Sequence, residues 1–113
     1  MDRHVLKELQ VILDEIFQRF TSSKEGHAYD FYKEVVPYTK EVDAKLDLLI
    51  EEKQNIVELP YMNPMKFDNF IEHFKELTVE CHFDKSRKLF IEKHKAVTYD
   101  LNYIQQHLGD IDV

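Results

Sequence analysis

The chain has 113 residues, 43% of them hydrophobic and 33% charged, with only two glycines and three prolines. That length suits one domain, residues 1–113, and so few turn-forming residues disfavour a β-rich fold. With 15 Lys and Arg against 22 Asp and Glu the net charge is −7, the wrong sign for binding nucleic acid or an anionic membrane surface.

Local patterns narrow the classes further. No Lys/Arg run exceeds two residues, and no Gly-rich phosphate loop occurs. A single cysteine, Cys81, excludes an internal disulfide and a multi-cysteine metal site. Met1-Asp2-Arg3-His4 leads directly into an amphipathic pattern without an apolar signal core, and no stretch reaches the ~18 apolar residues of a membrane span. The expectation is a cytoplasmic protein without a cofactor.

The first helix is predicted over Arg3 to Ser23. Val5, Leu9, Ile12, Ile16 and Phe20 repeat at helical spacing, with Leu6, Leu13 and Phe17 widening the stripe. Gly26 suits the left-handed residue that ends such a helix. The second and longest helix is predicted from Tyr29 to Glu58. Its inner face is marked by Phe31, Val35, Tyr38, Val42, Leu46, Leu49, Ile56 and Val57, with Tyr32 and Ile50 beside them. Pro37 interrupts it, because proline removes one backbone hydrogen bond and clashes with the preceding turn. Either the helix kinks there, or residues 29–36 form a separate turn and Pro37 begins the main helix.

Leu59 to Met62 reads as a linker. Asn63-Pro64 then carries the strongest helix start in the chain, an N-cap followed by proline at the first helical position. The third helix, to about His82, is expected to bury Phe67, Phe70, Ile71, Phe74, Leu77 and Cys81, with Glu72, Glu76 and Glu80 outside. After a turn near Phe83-Asp84-Lys85, the fourth helix has the seam Phe90, His94, Val97, Leu101, Ile104 and Leu108 and is expected to end before Gly109. Four amphipathic helices with short connections predict an all-α, antiparallel up-down four-helix bundle.

Two stretches carry a family resemblance. His27-Ala28-Tyr29-Asp30-Phe31-Tyr32, continuing to Pro37, resembles the aromatic signature of the YppE-like family. So does the run from Phe74 through Phe83 to Leu101, with its aromatic and histidine-containing helix junction. The resemblance covers most of residues 27–101. It implies a small four-helix bundle from a Gram-positive cytoplasm, and it supplies no substrate, cofactor or site residue.

Chemistry is harder to find. Di-iron bundles need Glu-x-x-His on two helices, and no Asp or Glu here has a histidine three residues later; His-x-x-x-His is absent too. Histidines converging from separate helices stay open as a mononuclear metal or ligand site. His94 on the fourth seam and Lys53 on the second apolar face are candidate buried polar positions, each with a plain reading: a hydrogen-bonded core histidine and a snorkelling or carboxylate-paired lysine. Cys81 is expected to be buried. His82 follows it, but successive helical residues point about 100° apart, so a Cys-His nucleophile is not expected. Glu72, Glu76 and Glu80 read as a solvated face.

The fourth helix also bears a second stripe of Leu89, Ala96, Tyr99 and Tyr103, away from the inner seam, interrupted by Glu92. Tyrosines at such positions suit docking, or else cover by another part of the chain. The leading expectation is therefore a non-enzymatic interaction module whose partner is another protein or a second copy, without nucleic acid or membrane. The alternative is a small metal- or ligand-binding bundle using core histidines.

Overall fold

The computed structural model describes residues 3–83 and 86–111. The predicted turn at Asp84-Lys85 lies outside the described residues. Among those residues every regular element is helical: α1 (Arg3–Lys24), a π-helical turn (Phe31–Val35), α2 (Val36–Ile50), α3 (Lys53–Val57), α4 (Pro64–Glu80) and α5 (Arg87–Ile111).

The ends of these helices follow from local chemistry. Past α1 the chain reverses at Gly26, whose φ of 103° is the left-handed region. The His27 N–H donates to the Ser22 carbonyl at 2.9 Å and the Gly26 N–H to the Ser23 carbonyl at 3.1 Å, which satisfies two orphaned carbonyls of the last turn. At the start of α4 the Asn63 side chain accepts from the Lys66 N–H at 2.8 Å, and Pro64 occupies a first-turn position where no N–H is needed.

The long second helix of the sequence reading is three pieces. Asp30 caps the π-turn by accepting from the Lys33 N–H, and the Val35 N–H donates back five residues to the Asp30 carbonyl. Pro37 is then the second residue of α2. In a regular helix its ring would press on the carbonyl four residues back; the wider π-turn relieves that crowding. Phe31 and Tyr32, expected inside, are instead exposed, Tyr32 by 80%. The wider turn alters the angular register on which their assignment rested. A second interruption at Glu51 and Glu52 was not anticipated. It tightens through a Glu52 N–H to Leu49 carbonyl bond, and α3 resumes with Ile56 still buried.

Four long helices enclose one core. α1 packs on α2 and α5, and α4 packs on the same two, while the short α3 lies on α4. Leu9, Leu13, Ile16, Leu46, Leu49, Phe70, Phe74, Leu77, Leu101 and Ile104 are fully buried within it. Phe20 of α1 stacks on Phe90 of α5 with ring centroids 3.8 Å apart and planes 6° from parallel. Phe17, expected to widen the α1 stripe, lies at the edge and is partly exposed. α5 does not end before Gly109 but continues to Ile111; a helical glycine costs only about 1 kcal/mol, too little to stop a long helix.

Candidate functional site

The densest polar chemistry gathers where α4 ends. Successive tight bonds, His82 N–H to the Val79 carbonyl and Phe83 N–H to the Glu80 carbonyl, terminate the helix just before His82. His82 therefore leaves the regular helical register, and its Nδ1 lies 3.4 Å from the Cys81 sulfur. This corrects the expectation that the two side chains would diverge, since a regular 100° step does not apply in the terminal turn. Cys81 is buried as expected and its thiol also reaches the Thr78 carbonyl at 3.6 Å.

His82 is only 3% exposed and is held from several sides. Arg19 of α1 places Nη1 2.8 Å from its Nε2. A guanidinium can only donate, so Nε2 accepts and the neutral ring carries its proton on Nδ1, aimed at the sulfur. The edges and faces of Tyr29 and Tyr38 meet the imidazole at centroid distances of 4.8 and 5.5 Å. Arg19 lies over the Tyr38 ring, its Cζ 3.9 Å from the centroid, and 5.7 Å from that of Tyr29.

Burial, and then the Arg19 charge, lowers the His82 pKa below its ordinary value. Burial pushes the Cys81 thiol up to about 12, against a smaller opposing pull from Arg19. Burial likewise raises the Tyr38 phenol, helped by Glu15, whose carboxylate accepts its O–H at 3.4 Å. A protonated, enclosed thiol is not a nucleophile. The group of Arg19, Tyr29 and Tyr38 opens instead into a cleft of about 340 Å³, completed by Lys33, Glu34, Pro37 and Glu41.

The residues singled out from the sequence lie elsewhere. His94 is half-buried; its Nε2 donates to the Leu13 carbonyl at 2.8 Å, and its ring packs between Phe17 and Phe90. Lys53 is not a buried position: it is half-exposed and paired with Asp68 of α4 at 2.8 Å, because the break before α3 lets it leave the apolar seam. Among the described residues no three His, Cys, Asp or Glu side chains are placed to hold a metal ion. Glu76 and Glu80 are not free on a solvated face either. Both bind Lys93 of α5; burial pulls the lysine pKa down, but the hydrogen bonds and charges of the two glutamates together raise it.

Leu89, Ala96 and Tyr99 are exposed on the outer side of α5, Tyr99 by 71%. Tyr103 departs from the strip. It is half-buried, solvent does not reach its hydroxyl, and that hydroxyl has no hydrogen-bond partner among the described residues. Its ring lies 4.3 Å from His107, and burial, then the nearby Tyr61 and Tyr99 phenols, raises its pKa. Tyr61 itself is 85% exposed at a φ of 65°, a conformation that strains a tyrosine.

Sequence reasoning missed Arg19, Tyr29, His82 and Tyr61. Arg19 left one usable trace: it stands seven residues after Ile12 and three after Ile16, on the edge of the α1 stripe. The other three depend on turns that periodicity does not register.

The model for a bacterial domain of unknown function, DUF1798, matches residues 6–108. The chain belongs to this family. A Staphylococcus aureus protein of the same family, itself described as a bacterial domain of unknown function, has a crystal structure that matches with a TM-score of 0.88. The two are 39% identical, over 92% of each chain. The crystal structure of YppE from Bacillus subtilis matches with a TM-score of 0.87 at 17% identity, covering 97% of this chain and 94% of that one. At that identity the likeness is one of fold alone. The resemblance read from the Tyr29 to Pro37 and Phe74 to Leu101 stretches therefore leads to the right family. No curated protein matches the sequence. No helix among the described residues is long and apolar enough to cross a membrane.

Proposed function

We propose that this DUF1798 domain is a non-enzymatic interaction module, an antiparallel up-down four-helix bundle that docks another protein through the outer side of α5 and the turn before α4. The ring of contacts from α1 to α2 to α4 to α5 and back supports the bundle reading. One observation carries the docking reading: Tyr61, Met65, Leu89 and Tyr99 are large apolar side chains that the fold leaves exposed. Tyr61 and Tyr99 both raise the pKa of the Tyr103 phenol, which supports reading them as neighbours on one side of the molecule. Tyr61 is presented there on strained backbone, and the Lys66 ammonium bonds its carbonyl at 3.0 Å. Contiguous exposed apolar surface suits a partner, and tyrosine is prominent among residues that dominate docking energies.

The reading is tested with Tyr61→Asn combined with Tyr99→Ser; asparagine tolerates the left-handed backbone at 61. The variant should melt like the parent, yet lose proteins cross-linked to the parent in a bacterial lysate, or lose self-association measured by solution mass. Identical cross-linking and mass for both would overturn it.

A further inference from the structure

The Arg19 cleft contains an unusual charge arrangement. Among the described residues no carboxylate lies within 4 Å of the Arg19 guanidinium, although the residue is only half-exposed. Among those residues the one side-chain hydrogen-bond partner of the guanidinium is neutral His82, through Nη1 alone. A guanidinium has five N–H donors, so most of this fork is uncommitted while its Cζ rests 3.9 Å from the centroid of the Tyr38 ring. Forked donors held against an aromatic ring match a carboxylate, and pre-organisation lowers the entropy lost on binding.

The rest of the cleft carries both signs. Lys33 adds a second cation, whereas Glu34 and Glu41 add two carboxylates; Tyr29, Tyr38 and Pro37 supply apolar wall. Two carboxylates so near disfavour a dianion such as phosphate. They suit a ligand whose negative group is accompanied by a positive one. A cleft of about 340 Å³ lies at the small end for ligand pockets. The π-turn supplies Lys33 and Glu34, and π-turns recur at functional sites.

We propose that this cleft binds a small zwitterion of the α-amino-acid class, its carboxylate on Arg19 and Lys33 and its ammonium group against Glu34 and Glu41. The site is separate from the α5 docking surface and does not depend on it.

The test uses the full chain, isotope-labelled, with Arg19 and Lys33 side-chain NMR signals followed during titration. The probes are L-alanine, sodium acetate, methylammonium chloride and inorganic phosphate. L-alanine should give saturable shifts at least fivefold tighter than acetate, methylammonium or phosphate. Arg19→Lys, which keeps the charge and removes the fork, should weaken L-alanine about tenfold, the scale of one charge-assisted hydrogen bond. Glu34→Gln with Glu41→Gln alters two exposed residues, so the fold survives, and should reduce L-alanine to the affinity of acetate. This variant decides the matter if Arg19→Lys does not fold. No saturable shift with L-alanine, equal affinity for acetate, or tighter phosphate binding each overturns the proposal. Undiminished L-alanine affinity in folded Arg19→Lys or in the glutamate variant does so as well.

Discussion

At the scale of single residues, His82 is the group whose ionisation the fold opposes. From α1 it faces the Arg19 cation; from the residues before and within α2, Tyr29 and Tyr38; from its own turn, Cys81; Glu34 acts on it more weakly in the opposite sense. The folded pKa lies below the unfolded value of 6.5. Well above 6.5 both states keep the ring neutral, so there it makes no pH-dependent contribution. As pH falls, the unfolded chain takes its proton first, and stability declines until the folded state is protonated too. The melting temperature should therefore drop between pH 7 and pH 5, with a shallower drop in His82→Gln. An equal drop in both proteins would show that other groups account for it. Asp100 has a raised pKa, from burial against the pull of Lys66 and His73, and its contribution also falls outside what His82→Gln would change.

At the scale of elements, three local devices decide where the chain turns: the Gly26 reversal, the π-turn ahead of Pro37 and the Asn63 cap. Asn63 adopts extended backbone, φ −157° and ψ 169°, and its oxygen serves an N–H that α4 cannot satisfy internally. Asn63→Ala should lower the folding free energy by about 1 kcal/mol, read from the urea midpoint with an unchanged slope. A change below a few tenths would mean that Pro64 alone sets the start of α4. The interruption before α3 has a different origin. A helix continuing unbroken from Leu49 would turn Lys53 toward the core; breaking at Glu52 sends it to Asp68 and keeps Ile56 inside. Burying an unpaired ammonium costs more than a local break in a helix.

At the scale of the whole molecule, stability rests on the single core shared by α1, α2, α4 and α5. The Phe20–Phe90 stack ties α1 to α5, and Phe90 also lies beside His94. Phe90→Ala should cost about 3–5 kcal/mol by opening a cavity at that seam. Against the usual 5–15 kcal/mol for a domain, this is a large share of the total, as a denaturant titration would read. A loss under 1 kcal/mol would mean that α1 and α5 close over the gap. Tyr61 and Tyr99 are exposed and lie outside this core, so they can vary while the packing stays intact.

What the sequence determined by itself was the helical class, the cap at Asn63 and most of the buried faces, because these follow from period and local bonding over a few residues. Val5, Leu9, Ile12 and Ile16, or Phe67, Phe70, Phe74 and Leu77, need no distant partner to reveal which side is apolar. The tertiary structure decided the rest. Whether Phe31 and Tyr32 faced inward depended on a π-turn that shifts register, and whether the Tyr103 hydroxyl met solvent depended on packing that its helical spacing from Tyr99 does not encode. The Arg19–His82 bond spans 63 positions. Such meetings are set by how whole helices cross, and helical periodicity carries no information about which residues of two helices arrive at the same place.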